Sequence, residues 1–312
     1  GRLEIWGGHQ MPDVYQAVAA EIMGIDPSQV KLHVVTPGGF FGRRAVPDAD
    51  VIAEVASAPP ATGAKAPVRV LWTREDDTKG GRYRPMYFHR LRAALDAAGN
   101  PVAWQHRIVG QSIAAGTPFE QMMVRDGIDP TSVEGAATLP YAIPNFLCDL
   151  VTTDVKVPVL WWRAVGSTHT AYSTEVFVDE LAEAAGKDPL EFRRGLLRDH
   201  PQHLRVMELA AEKAGWGRPM PAGRFRGLAV HESFSTFVAQ VVEMTLRADG
   251  SPKVERVVCA VDVGTPINPD NIRAQVEGGV GYGLGAVLKG EITLDGGEVV
   301  QGDFDHHRVL TT

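Results

Sequence analysis

Residues 276–288 constrain this chain more than any other stretch. They continue a helical pattern that begins at Asn268, yet five of the thirteen are glycine: Gly278, Gly279, Gly281, Gly283 and Gly285. A glycine inside a helix costs about 1 kcal/mol against alanine. A helix that keeps so many needs something close against its backbone, either another element or a ligand. The glycines also break up the most apolar run of the chain, so no segment reaches the ~18 residues of a membrane helix.

A second glycine cluster stands in "HVVTPGGFFGRR", residues 33–44. A β-type run, residues 31–36, ends at Pro37 and passes into Gly38, Gly39, Phe40, Phe41 and Gly42. The spacing is neither G-x-G-x-x-G nor a phosphate loop with Gly-Lys-Ser/Thr. Glycines at a strand end still let a ligand approach the backbone, and exposed amides there can hold an anionic or oxo group. Taken alone, the loop reads either as such a nest or as a plain turn with buried aromatics. A third cluster, "VPVLWWRAVGSTHTAY" at residues 157–172, sets two tryptophans and Arg163 before a helix N-terminus, a place that suits a phosphate. A buried aromatic turn with Arg163 ion-paired is the plainer meaning.

The remaining pattern mixes α and β, with antiparallel hairpins outnumbering βαβ units. Strands are expected at 3–6, 31–36, 68–73, 86–96, 102–109 and 148–155, with a turn at Ala97–Asn100. Helices are expected at 13–23, closed by Gly24, and at 49–58, stopped by Pro59-Pro60. Others follow at 171–185, at 189 onward behind Asp188, and at 203–214. Residues 74–85 read as a polar excursion, and "REDD" at 74–77 as a solvated turn or ion-pair network. After the Gly- and Pro-rich residues 215–224 come strands at 227–231, 238–247 and 254–262, the long helix, and a hairpin over 291–304. The fold class is α+β, with a first portion at 1–222 and a second at 223–312.

The 312 residues carry 44% apolar and 22% charged residues and a net charge of -7. That balance, without clustered basic residues, argues against a nucleic-acid partner. Two distant cysteines, Cys148 and Cys259, fit buried small side chains better than a disulfide, and they are too few for an iron–sulfur cluster. Neither end carries a leader or a cap, which suggests an internal portion of a longer subunit.

Four stretches taken in order resemble one family: "IWGGHQMPDVYQAVAAEIMGIDPSQVKLHVVTPGGFFGRR", "VLWTREDDTKGGRYRP", "VPVLWWRAVGSTHTAYSTEVFVDELAEAAGKDPLEFRRGLL" and "VVCAVDVGTPINPDNIRAQVEGGVGYGLGAVLKGEITL". The family is the molybdopterin-binding subunit of the xanthine oxidase type of molybdenum hydroxylase. The nearest branch is that of the isoquinoline 1-oxidoreductase β-subunits and aldehyde oxidoreductase large subunits.

The resemblance implies a molybdenum-cofactor-binding α+β fold and a molybdopterin cytosine dinucleotide cofactor. It implies oxidation of an N-heteroaromatic or an aldehyde with oxygen from water. It also implies electron transfer to 2Fe-2S clusters on a small partner subunit, with a cytochrome c as a further candidate acceptor. A metal carried by the pterin needs few protein ligands, so no metal-ligating residue is expected. Gln10, Gly38, Gly39, Phe41 and Gly42 would lie against the molybdenum end of the cofactor. Arg163, Gly166 and His169 would approach from another side. Gln275 and a turn at Glu277-Gly278-Gly279 would hold the pterin and its pyrophosphate.

Three departures stand out. Phe40 replaces a third glycine of the loop, which should reshape it, because phenylalanine disfavours positive φ. His169 occupies a glutamine position. Ala45 stands where purine-oxidising relatives have glutamate. No catalytic residue is assigned within the chain: the general-base glutamate of the family is expected beyond Thr312, in a Gly-Glu-Pro segment, and a further cofactor loop before Gly1. A scaffold that binds no metal is the alternative, and the compartment, periplasm or cytoplasm, stays open.

Overall fold

The computed structural model describes residues 1–311. At the N-terminus, β1 (Leu3–Gly7), α1 (Pro12–Met23) and β2 (Val30–Val34) form a β-α-β unit with parallel strands in register Leu3 to Val30. Gly24 closes α1 in the left-handed region at φ 60°, as its position predicts. Pro12, not Asp13, opens that helix, and no side chain caps it. The long helix α2 (Asp50–Thr62) packs on α1. Ile5, Tyr15, Ala19, Val30, Ile52 and Ala56 make the core of this unit.

Two expectations fail here. α2 runs through Pro59-Pro60 instead of stopping before them. Proline has a helical φ but removes its own N–H and crowds the carbonyl four residues earlier; here both costs fall near the C-terminal turn, which Gly63 then closes by donating to the Pro59 carbonyl. Residues 68–73 form no strand, because no neighbouring strand pairs with them. Instead Thr73 caps the short helix α3 (Arg74–Lys79): Thr73 Oγ1 accepts from the Asp76 amide, and Asp76 accepts from the Thr73 amide. This reciprocal cap turns the "REDD" excursion into a helix with an Arg74–Asp77 pair on its surface.

β3 (Tyr87–Leu95) and β4 (Pro101–Gln111) form the expected hairpin, and Asp96 ties its turn by accepting from the Ala98 and Asn100 amides. The four-residue helix α4 (Glu120–Met123) leads to β5 (Asn145–Thr153), which pairs with β4 in parallel. Then come α5 (Ser167–Ala184), α6 (Pro189–Leu196), capped by Asp188, and α7 (Pro201–Ala214). The antiparallel sheet β6 (Arg224–Ser233), β7 (Thr236–Leu246) and β8 (Pro252–Asp262) lies against α7. The second core spans Trp104, Val178, Leu197, Met207, Leu228 and Val241, and so crosses residues 215–224 without a break. α8 (Pro269–Leu288) and the small hairpin β9 (Leu294–Asp295) and β10 (Glu298–Val299) complete the described chain.

Glu175 and Arg193 sit inside the second core. Arg193 Nε donates to Glu175 Oε2 at 3.1 Å, Tyr141 donates its hydroxyl to Oε1 at 2.6 Å, and the Val230 amide donates to Oε2 at 2.8 Å. The carboxylate thus joins α5, α6 and β6. Cys148 and Cys259 are both free. Among the described residues no helix is long and apolar enough to cross a membrane.

Candidate functional site

The glycine loop after β2 owes its shape to positive φ angles: 80° at Gly38, 153° at Gly39, 53° at Phe41 and 91° at Gly42. Phe40 is absent from that set. The expected penalty therefore falls elsewhere: Phe41 carries the left-handed backbone, and Phe40 folds its ring over Gly8 and Pro37. Gly42 also has no room for a side chain, since a Cβ there would lie 2.5 Å from the Trp161 carbonyl oxygen. Gly38, in contrast, faces open space.

Four hydrogen bonds join the separate motifs around this loop and α8. The Gly42 amide donates to Gln10 Oε1 at 3.2 Å. The Arg163 amide donates to the Phe41 carbonyl at 3.0 Å. Arg163 Nη2 donates to the Gln275 carbonyl at 2.8 Å and to Gln275 Oε1 at 3.3 Å. The Phe41 ring, 43% exposed, stacks on Tyr282 of α8 with 5.2 Å between centroids. A Cβ on Gly279 would come within 3.2 Å of Arg163 Nη2, and one on Gly278 within 3.7 Å of Nη1. Gln10, Phe41, Gly42, Arg163, Gln275, Gly278 and Gly279 therefore meet on one side of the molecule. The stretch expected to turn at Glu277-Gly278-Gly279 is continuous helix.

The glycines of α8 now divide. Gly278 and Gly279 accommodate Arg163. Gly281 and Gly283 face nothing within 4 Å, and no residue of α8 is buried. Helix packing within the described chain does not explain them.

The α5 N-terminus is not the phosphate site its sequence suggests. Glu134 Oε1 accepts from the Ser167 amide at 3.0 Å, so a carboxylate of the chain itself already fills that position. Burial raises the Glu134 pKa and the bonds from Ser167 and Gly166 oppose the rise. Gly166 is required for packing: a Cβ there would overlap the Thr131 carbonyl. Ala164 and Val165, just before it, both adopt positive φ, 72° and 44°. Two such residues in sequence store strain of about 1–3 kcal/mol each, beside the Arg163 contact.

His169 lies apart from the glycine loop. Its ring stacks on Tyr87 at 3.8 Å, its Nδ1 sits 3.0 Å from His89 Nε2, and its Nε2 is buried without a partner. It lines a cavity of about 40 Å³ with Arg84, Thr131, Trp162, Gly166 and Thr168. Arg84 escapes any reading of the sequence alone. Its Nη1 donates to Thr168 Oγ1 at 2.9 Å and its Nη2 to the Arg163 carbonyl at 2.8 Å, and its guanidinium lies 5.7 Å from the Tyr282 centroid. Arg84 thus connects the His169 cavity to the Arg163–α8 contact. Its neighbourhood in "GGRYRP" shows only a basic, glycine-rich stretch; the contacts span residues 79 or more apart.

What these residues offer is a cradle of main chain. Gly38 faces open space, Gly39 lies under the Phe41 ring, Gly281 and Gly283 leave the α8 surface bare, and His169, which lines a cavity, keeps its Nε2 unpaired. Among the described residues no three His, Cys, Asp or Glu converge as direct metal ligands. The set suits a flat, hydrogen-bonding group.

Comparison with known proteins agrees. One family model, the molybdopterin cofactor-binding domain, matches residues 1–196, and a second model of the same description matches 170–312. The beta chain of isoquinoline 1-oxidoreductase from Brevundimonas diminuta is 32% identical over 99% of this chain and 40% of its own length. A nicotinate dehydrogenase component from Pseudomonas putida is 26% identical over 100% of this chain and 28% of its own. The chain thus spans less than half of each relative. The crystal structure of quinoline 2-oxidoreductase from Pseudomonas putida 86 superposes with a TM-score of 0.81 at 15% identity, covering 99% of this chain and 64% of that one, which shows the shared fold. The chain belongs to the molybdopterin cofactor-binding family, in the molybdenum-binding subunits of the xanthine oxidase type.

Proposed function

We propose that the protein containing this chain is a molybdenum hydroxylase that oxidises an N-heteroaromatic or an aldehyde and passes electrons to an iron–sulfur partner. The observation that carries the reading is the meeting of Gln10, Phe41, Gly42, Arg163 and Gln275, from four separate stretches, on one side of the molecule. When bound, the cofactor supplies oxidation of an electron-poor carbon with oxygen taken from water.

The residues of this chain bind and orient. Gln10 spends Oε1 on the Gly42 amide, which fixes its carboxamide and leaves Nε2 as a donor. Phe41 presents an exposed ring edge backed by Tyr282. Gly38 and Gly39 offer main-chain amides at close range. Arg163 clamps Gln275 against the loop, so that portions 1–222 and 223–312 both contribute to the cradle. Gly166 and His169 line the small cavity that Arg84 links to the contact of Arg163 with Gly278 and Gly279. The cytosine dinucleotide form of the cofactor, 2Fe-2S clusters on a small subunit and a cytochrome c acceptor belong to the same proposal. So does a general-base glutamate from the remainder of the subunit.

Metal and nucleotide analysis of the purified full-length protein tests it. Molybdenum with released cytidine nucleotide supports the proposal. Absence of both after expression with the maturation machinery refutes it and leaves a scaffold that binds no metal.

A further inference from the structure

Three histidines lie in line between the β3–β4 hairpin and the His169 cavity. His106, on β4, is fully buried. Its Nε2 is 2.8 Å from Nδ1 of His89 on β3, and His89 Nε2 is 3.0 Å from Nδ1 of His169 on α5. Both free ends of this chain, His106 Nδ1 and His169 Nε2, are buried and unpartnered among the described residues.

A neutral imidazole has one N–H and one lone pair. A row of three neutral rings keeps both internal hydrogen bonds in only two ways: every ring protonated on Nδ1, or every ring protonated on Nε2. Burial keeps the rings neutral, pushing His106 to about 4 and His169 to about 3 and lowering His89 as well. The two patterns present opposite groups to the cavity. The first leaves a lone pair on His169 Nε2; the second puts an N–H there.

The surroundings select between them. The Nδ1–H pattern gives the row a dipole with its positive end at His106 and its negative end at His169. Asp149, on the strand beside β4, is ion-paired with Arg107, so the His106 end is left with little net bias. Arg84, which lines the cavity with His169, repels positive charge there. The charge at the cavity end therefore favours the Nδ1–H pattern. Tyr87 holds the His169 ring flat by stacking, and its hydroxyl is spent on Ser132 and the Gln111 carbonyl, so it does not compete for Nε2.

We propose that His106 and His89 are positioning residues that lock His169 in its Nδ1–H form, so that Nε2 accepts a hydrogen bond from an N–H or amino group of the bound heterocycle. The identity of that heterocycle rests on the cofactor reading above; the proton pattern does not. A cavity of about 40 Å³ admits one amino group or one water and excludes a ring. The assignment also gives His169 a definite role where a glutamine could donate or accept: His169 only accepts.

Long-range proton–nitrogen correlation spectra of the full-length protein, labelled with ¹⁵N-histidine and prepared both free of and loaded with cofactor, test the proposal. Single His→Gln variants assign the rings. The expected result in the cofactor-free protein at neutral pH is Nδ1–H at His106, His89 and His169. Nε2–H at these rings, or an imidazolium among them, overturns the lock. His89→Phe keeps a ring but breaks the row, and His169 should then show a mixture of tautomers; an unchanged His169 overturns the role of His89. Should that variant fail to fold, the wild-type pattern still decides. On loading, the His169 Nε2 resonance should shift while that of His203, across the core, stays. An unshifted His169 in protein with full molybdenum content overturns the contact. Protein that takes up no cofactor refutes the cofactor reading alone.

Discussion

Gly42→Ala is the substitution with the most definite geometry. The new Cβ would lie 2.5 Å from the Trp161 carbonyl oxygen, where ordinary contact begins at 3.4 Å, so loop or carbonyl must move by roughly 0.9 Å (3.4 − 2.5). That motion stretches the Gly42–Gln10 bond, already 3.2 Å, beyond hydrogen-bond range. The left-handed backbone adds about 1–2 kcal/mol for a residue with a Cβ. The lost bond is exposed and adds about 0.5 kcal/mol at the low end of the usual range. Forcing the loop or the carbonyl aside adds about 1–3 kcal/mol, so the total is about 3–5 kcal/mol and a fall of several degrees in Tm. Gly38→Ala is the matched control, since its φ of 80° carries similar strain but its Cβ meets nothing. Thermal melts of the two variants, with molybdenum content of each, are the assay. Gly42→Ala should melt lower than Gly38→Ala and hold less cofactor. Equal melting and equal loading would refute both the clash and the role of the Gln10–Gly42 pair.

Other consequences are as direct. Arg193→Met should cost about 3–5 kcal/mol, because it strands the buried Glu175 carboxylate, whereas double replacement of Arg193 and Glu175 by apolar residues should recover most of that; denaturant midpoints of both variants check this. Arg163→Lys ends one bond short of Nη2, the nitrogen that donates to both Gln275 oxygens, so amide exchange should quicken at Gly278 and Gly279 and not in β7. His106, His169 and His203 are held near 4, 3 and 4 in the folded state, against about 6.5 unfolded. The unfolded chain binds more protons in that window. Stability is therefore full above about pH 6.5 and falls as pH drops toward 4, and urea midpoints that do not change between about pH 7 and about pH 5 would contradict the burial of these rings. Phe40→Gly should fold and cost about 1 kcal/mol, since only the partly buried ring over Gly8 and Pro37 is lost; a chain that fails to fold would make Phe40 core.

Local signals carried most of the element pattern. Gly24 ends α1, Asp188 opens α6, and Asp96 with Asn100 turns the β3–β4 hairpin, each through contacts a few residues apart. Signals failed where partners are remote. Residues 68–73 have strand composition but no strand to pair with. β5 pairs in parallel with β4 across a crossover of more than 30 residues, which no short pattern encodes. In the site, the loop glycines and Arg163 stood out in motifs, and Gln10 and Gln275 entered through the family resemblance. Their mutual bonds, spanning 32 and 112 positions, needed the fold. Arg84 and the histidine row were invisible, because isolated histidines on two strands and a helix carry no spacing that marks them as one chain. The α5 N-terminus misled for the same reason: Glu134 fills it from 33 residues away.

An anomalous-difference map of the full-length crystal, measured at the molybdenum absorption edge, tests the central claim most directly. The account predicts one peak beside the Gly42 amide and the Gln10 side chain, on the side where Phe41 and Tyr282 stack. A peak at the separate cavity of about 220 Å³ lined by Tyr141, His200 and His203, or no peak in protein that contains molybdenum in stoichiometric amount, would contradict it.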